Sequence, residues 1–280
     1  MAKSTVLITG CSSGSLGYHL AEAFHARGYH VIATLRNTAK AGALAEKGAV
    51  DILELDVTST ESIQACVQAV EKITGGSLDV LVNNAGADYT IPLLDAAIDD
   101  AKKLFDLNFW APLAVTQAFA SMVIQAKGVI CNISSLSAIC NFAWGGIYAS
   151  SKSALTTLSE TLRVEVEPFG VRVLTVMLGG CATNAHAGMP DLVLPAGSRY
   201  GAIWETIDRQ KKGLVYGNRQ DAAVAARNIV GDIVAGKKSY VWRGAAATLC
   251  WFCTTFLPNR LLVGIMNAEK GLDVLARGEK

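Results

Sequence analysis

Six apolar runs of strand length, at 5–9, 31–35, 50–55, 80–82, 129–133 and 171–177, alternate with segments that can form helices. Nothing else in the chain restricts its fold as strongly. Strand and helix in repetition predict an α/β protein whose parallel sheet is covered on both faces, a doubly wound arrangement. Right-handed crossovers then bring the strand C-termini to one edge, where such sheets bind their ligands. No repeat, low-complexity tract or linker divides the sequence, so residues 1–280 are expected to form a single domain.

Composition supports a large buried core, with 51% hydrophobic and 18% charged residues in a chain of 280. A formal net charge of +1 argues against nucleic acid as a partner. The N-terminus enters its first apolar run at once, without the basic and longer apolar regions of a signal peptide, and an intracellular, cytoplasmic location is expected. Seven scattered cysteines, an odd number, suit reduced thiols better than a disulfide framework. Cys250 and Cys253 form a C-x-x-C pair, but they flank Trp251 and Phe252 with no second pair or histidine nearby, so packing is expected there and no metal site.

Residues 99–127 read as one long apolar helix, and 148–167 as another that stops before Pro168 and Gly170. Between 184 and 213 the pattern is broken by Gly188, Pro190, Pro195 and Gly197, which predicts a mobile loop with a short helix and suggests a substrate lid. Residues 244–280 form an apolar C-terminal extension, uncharged from Gly244 to Asn259 and too short there for the ~20 residues of a bilayer span. Peripheral membrane contact through 244–265, a dimer interface and a buried helix all remain open for it.

The first apolar run leads into Gly10-Cys11-Ser12-Ser13-Gly14-Ser15-Leu16-Gly17 and then a helix. That is the Rossmann-like layout for a dinucleotide: Gly10 takes the tight turn, Gly14 lets the backbone approach a pyrophosphate, and Gly17 permits close packing of the helix. Gly10, Ser12, Ser13, Gly14, Leu16 and Gly17 are the candidate phosphate-side residues, with the helix N-terminus facing the anion. The second run ends in Leu35-Arg36-Asn37. No acid stands there to hold a free ribose 2′-hydroxyl, whereas Arg36 can pair with a 2′-phosphate, so NADP(H) is the expected cofactor.

Tyr148 and Lys152 lie one helical turn apart on the same face. A free tyrosine titrates near 10, and a neighbouring ammonium that stabilises the phenolate makes it useful for acid catalysis near neutral pH. Together with Thr9-Gly10, Asn83-Asn84-Ala85-Gly86 and Ser135, thirteen residues before Tyr148, this pair resembles the marks of the short-chain dehydrogenase/reductase family. The resemblance runs to about residue 242. It implies Tyr148 as general acid to a carbonyl oxygen, Ser135 orienting that oxygen, Lys152 also holding the nicotinamide ribose, and Asn108 positioning a water behind Lys152. It further implies that Asp56 and Val57 meet the adenine, that Asn84, Ala85 and Gly86 line the adenosine side, and that Thr183 contacts the carboxamide.

Two departures from the family pattern stand out: two residues rather than one between Gly14 and Gly17, and Leu178-Gly179 where Pro-Gly is common. The latter predicts a less rigid loop near the nicotinamide. The glycine turn with residues 33–37 resembles a fungal branch containing acyl-dihydroxyacetone-phosphate reductases and reductases of secondary metabolism. Relatives are commonly dimers or tetramers.

The expected activity is reduction of a bulky, hydrophobic ketone with NADPH. Ile139, Phe142, Trp144, Met189, Leu192, Leu194 and Trp204 are candidates for its pocket or for ordinary core. Arg199, Arg209, Lys211 and Lys212 could receive a substrate phosphate or simply solvate the lid. Two rival readings have to be weighed. Gly10-x-Ser12-x-Gly14 also fits a serine hydrolase elbow, but an elbow rarely opens a chain, and His186 is the sole histidine beyond residue 30. A non-catalytic NADPH-binding regulator would have little need for Asn108, Ser135, Tyr148 and Lys152 together.

Overall fold

The structure, a computed structural model, describes residues 3–184, 187, 189–215, 217 and 219–278. Its strands are β1 (Thr5–Thr9), β2 (His30–Leu35), β3 (Val50–Glu54), β4 (Val80–Asn83), β5 (Val129–Ile133), β6 (Arg172–Leu178), β7 (Cys181–Ala182), β8 (Gln220–Asp221) and β9 (Ser239–Arg243). The helices are α1 (Leu16–His25), α2 (Thr60–Thr74), α3 (Ile98–Phe105), α4 (Ala111–Ala126), α5 (Gly146–Val166), α6 (Trp204–Lys211), α7 (Ala222–Val234), α8 (Ala247–Phe256), α9 (Asn259–Asn267) and α10 (Leu272–Gly278).

Seven strands form one sheet in the order β3-β2-β1-β4-β5-β6-β9, every neighbouring pair parallel. The single Rossmann-like domain expected from the sequence is therefore present. Chain direction across the sheet reverses between β1 and β4, which opens a crevice at their C-terminal ends. β7 and β8 make a small parallel pair beyond that edge.

Successive residues of a strand face opposite sides, and β1 shows why both sides are apolar. Val6 and Ile8 pack with Leu20 and Phe24 of α1 and Ile229 of α7, while Leu7 packs with Phe119 of α4 and Val70 of α2. Each fully buried side chain of this size contributes roughly 1.5–3 kcal/mol of transfer free energy. Although long and apolar enough by composition to cross a membrane, the run Ile98–Ala126 packs on this sheet as a core helix.

Three expectations need correction. The helix foreseen over 99–127 is broken by a π-turn at Asp106–Trp110, between α3 and α4. Its wider winding turns Asn108 to full burial, an outcome that 3.6-residue periodicity does not signal. β9 was not foreseen, because Ser239-Tyr240-Val241-Trp242-Arg243 is not a continuous apolar run and only Val241 is buried within it. The loop at Leu178-Gly179, expected to be loose, is tied down by backbone bonds from Gly179 N to Arg243 O (2.7 Å) and from Gly180 N to Ala245 O (3.1 Å).

Of the C-x-x-C pair, Cys250 joins Leu136, Cys140, Met177 and Ala247 in a core cluster, whereas Cys253 is half-buried and lines the cleft. All seven cysteines are free thiols.

Candidate active site

The glycine turn is built against the start of the β4–α3 connection. Gly10 and Gly14 both have left-handed backbone, with φ of +77° and +76°, where a side chain would be strained. Gly17 is needed for another reason, since a Cβ there would lie 2.4 Å from the Gly10 carbonyl oxygen. Ser15, the additional residue of the turn, caps α1 by accepting from Tyr18 N and donates its own hydroxyl to Gly10 O (3.0 Å).

Thr9 anchors the other side: its Oγ1 accepts from the N–H groups of Asn84 and Ala85, both at 2.9 Å. The Asn84 amide returns the contact by donating to Thr9 O (2.8 Å). Asn84 thus holds the turn itself as well as lining the crevice with Ala85 and Gly86. Ser12, Ser13 and Leu16 line the crevice too. The N–H of Ser13 is occupied by Lys40 O (2.8 Å), which leaves its hydroxyl as the group it can offer an anion. Gly14 is covered by Asn184, whose N–H donates to Gly14 O.

At the β2 end of the crevice the wall carries Arg36, Asn37 and Lys40, with Leu55 and Val57 opposite. Lys40 was missed by sequence reasoning, because it comes from the 3₁₀ segment Thr38–Glu46 and reaches the site only once that segment folds over the glycine turn. Asp56 Oδ1 accepts from Thr58 N (2.9 Å) and Thr58 Oγ1 (2.7 Å), and these bonds hold its carboxyl below the usual range, with Arg36 adding a smaller effect. Its neighbour Val57, rather than that carboxylate, faces the cleft.

Ser135, Tyr148 and Lys152 line the same cleft. Ser135 follows β5 and accepts from Ser137 N (3.1 Å), which fixes its hydroxyl oxygen. Lys152 is 5% exposed and donates to Ile133 O (2.8 Å). Burial lowers its pKa to about 8 from 10.5, so its proton is held far less tightly than a surface lysine's.

Asn108 comes from the π-turn and is fully buried. Its Oδ1 accepts from Ala87 N (3.0 Å), and its Nδ2 donates to Ala87 O (2.9 Å) and to Ser151 Oγ (3.1 Å). Instead of bonding within its own helix, it links the β4–α3 connection to α5, which carries Tyr148 and Lys152. A Cβ on Gly86 would sit 3.0 Å from Asn108 Oδ1 and 3.5 Å from Lys152 Nζ, so Gly86 leaves the room between them.

The cleft has a volume of about 1550 Å³. That exceeds the ~300–1,000 Å³ of a typical ligand pocket and gives space for a dinucleotide beside a substrate. Beyond Thr183 its wall passes to Phe142, Met189 and Arg209, and then to Leu249, Ile265 and Lys270 of the C-terminal extension. Trp144 and Leu192 instead join a buried cluster with Ile203 and Ile207, and Trp204 donates to Leu192 O. Of the cations considered for a substrate phosphate, Arg209 alone lines the cleft: Lys211 donates to Asp191 O, and Lys212 pairs with Asp191 and Asp208. The contribution of the C-terminal extension was missed, because nothing in its sequence shows that it folds back over the cleft.

Ser12 has no histidine beside it among the described residues: His19 and His30 pair with Glu22 and Asp51, and His25 bonds Gly48 O. His186 and Gly188 lie outside the described residues.

Comparison with known proteins agrees with this geometry. A family model described as short chain dehydrogenase matches residues 4–191. The short-chain dehydrogenase cctT of Talaromyces islandicus is 51% identical over 98% of both chains. The NADPH-dependent 1-acyldihydroxyacetone phosphate reductase of Schizosaccharomyces pombe is 41% identical over 71% of this chain and 68% of its own. A solved short-chain dehydrogenase from Streptomyces avermitilis superposes with a TM-score of 0.78 at 27% identity, covering 100% of this chain and 99% of that one. The chain is a member of the short-chain dehydrogenase family of oxidoreductases.

Proposed function

We propose that this protein reduces a bulky, hydrophobic ketone to a secondary alcohol with NADPH. The observation that carries the reading is the meeting of Ser135, Tyr148 and Lys152 in one cleft with the glycine turn and Arg36. The residues present fit the cofactor. Left-handed Gly10, with Ser12, Ser13 and Leu16, lines the crevice where a pyrophosphate would approach the backbone, Gly14 being covered by Asn184, and Arg36 with Lys40 supplies two cations at the β2 end for a 2′-phosphate. The NADPH dependence of the Schizosaccharomyces pombe relative supports the same choice.

NADPH, when bound, supplies the hydride to the carbonyl carbon. Ser135 donates a hydrogen bond to the carbonyl oxygen and sets its position, and Tyr148 delivers a proton to that oxygen as negative charge develops there. Lys152, one turn along α5, favours the phenolate that remains. Asn108 holds the backbone at Ala87 and the Ser151 hydroxyl, and through them the spacing between the β4–α3 connection and α5.

Apolar side chains on the substrate half of the cleft, Phe142, Met189, Leu249 and Ile265 among them, favour a polyketide-like or acyl body. The acyl substrate in the name of the Schizosaccharomyces pombe relative points the same way, towards secondary or lipid metabolism. The segment 184–213, from which Met189 and Arg209 reach the cleft, acts as its lid. The free thiols suit an intracellular, reducing location. The test is cofactor oxidation over a panel of aliphatic, aromatic and polycyclic ketones with NADPH and NADH side by side. Turnover with NADPH in preference to NADH is expected; tight NADPH binding with no turnover across the panel would favour a binding-only role.

A further inference from the structure

The C-terminal extension is tied to the loop that leads into the catalytic helix. Asn267 Oδ1 accepts from Ala143 N (2.7 Å), and Asn267 Nδ2 donates to Asn141 O (2.8 Å). Trp144 Nε1 donates to Lys270 O (3.1 Å). From α6, Gln210 Nε2 donates to Ala143 O (2.9 Å) while its Oε1 accepts from Lys270 Nζ (2.6 Å). Gln210 is 2% exposed and both ends of its amide are engaged, so its oxygen is a fixed anchor for the Lys270 ammonium. Residues 267–270, α6 and the loop at 141–144 form one bonded network a few residues ahead of Tyr148.

Lys270 lines the substrate half of the cleft. An ammonium has three donors, and the Gln210 bond satisfies one of them with a neutral oxygen. Partial burial lowers its pKa, and Glu269 only partly offsets that effect. Around it the wall carries Phe142, Met189, Ile265 and Met266, and Glu269 places one carboxylate beside it. Arg209 adds a second cation to the same wall, and the acid Asp88 is engaged by Tyr89 N and Thr90 Oγ1. A partly desolvated cation held in place by a neutral partner is suited to an anion brought in by the substrate.

We propose that Lys270 is a specificity residue which binds an acidic oxygen, carboxylate or phosphate, on an otherwise apolar ketone. This deepens the ketone-reductase reading and rests on it. The acidic group sits on the Lys270 side of the cleft while the carbonyl lies at Tyr148 and Ser135, so the preferred substrate is amphipathic. The C-terminal extension thereby selects the substrate, and the loop at 141–144 couples it to the catalytic helix.

The test uses the full chain with NADPH, in wild type, Lys270→Met and Lys270→Arg. The probes are 3-benzoylpropionate with its methyl ester for the carboxylate arm, and 4-acetylphenyl phosphate with 4-methoxyacetophenone for the phosphate arm. Both kcat/KM and Kd, the latter by titration calorimetry, are measured for each. Wild type is expected to favour at least one acid over its neutral partner by about tenfold or more, mainly through KM, in line with a charge-assisted hydrogen bond. Lys270→Met is expected to erase that ratio and Lys270→Arg to keep most of it, and the arm that responds identifies the acid. No preference in wild type, a ratio unchanged in Lys270→Met, or equal losses on acid and neutral ketone would overturn the proposal, the last pointing to a purely structural role. Acid binding that depends on Lys270 without turnover of any ketone would retain the anion site and reject the reductase reading instead.

Discussion

At the residue scale, glycine and lysine show two ways in which a site is written into a chain. Gly17 matters for what it lacks, because a Cβ would meet the Gly10 carbonyl at 2.4 Å and push α1 away from the turn. Gly17→Ala should lower stability by roughly 1–3 kcal/mol, the usual cost of overpacking, and weaken NADPH binding. Urea unfolding and calorimetric titration check both effects. Lys152 matters for where it is buried. Its pKa of about 8 lies below the 10.5 of the unfolded chain, so between those values the unfolded chain still holds a proton that the folded chain has released. Lys152 by itself should therefore add on the order of 3 kcal/mol of stability to the cofactor-free protein between about pH 8 and 10.5, against buried thiols such as Cys66 and Cys181, pushed up to about 11, whose contribution falls as pH rises past 9. The stability difference between wild type and Lys152→Met should shift in favour of wild type from pH 7.5 to 10 when the two are unfolded side by side; equal slopes would mean that Lys152 does not titrate in this window. The residues carrying this chemistry were legible as motifs. Their partners were not: Lys40 and Asn184 support the glycine turn through contacts that depend on the folding of distant segments.

At the scale of elements, the six apolar runs marked six of the seven strands of the main sheet, strands such as β1 and β5 being buried throughout, whereas the two-residue β7 and β8 carry no such run. β9 escaped notice since only Val241 is buried among its five residues. The π-turn between α3 and α4 escaped for a different reason: apolar residues continue through it, while its consequence is a change in direction at one asparagine. Asn108→Ala should leave the Ala87 N–H and carbonyl without their partner, at roughly 1–3 kcal/mol for a group that stays unsatisfied, while the Ser151 hydroxyl keeps its bond to Tyr148 O (2.7 Å). Asn108→Asp keeps the acceptor for Ala87 N and loses both donors, so it should fall between wild type and Asn108→Ala in thermal unfolding. An Asp variant less stable than the Ala variant would show that charge, rather than these hydrogen bonds, governs the position.

At the scale of the whole molecule, the sheet was legible and the closing of the cleft was not. α8 buries Ala247 and Cys250 but exposes Trp251, Phe252 and Phe256, whose rings meet, and α9 exposes Leu261. An exposed aromatic cluster of this kind marks a contact surface. A second copy of the chain is the expected occupant, since closed homo-oligomers are the common solution for such faces. Light scattering should give a dimer or tetramer, and Phe252→Glu with Phe256→Glu should lower the mass. An unchanged mass together with loss of flotation on phospholipid vesicles would assign the face to lipid instead. Tyr148 as the proposed proton donor is tested by NADPH oxidation with a reducible ketone in wild type and Tyr148→Phe, alongside NADPH affinity. Loss of kcat by ~100-fold or more, with NADPH affinity largely retained, is the predicted result. A phenylalanine variant that turns over at the wild-type rate would contradict the account.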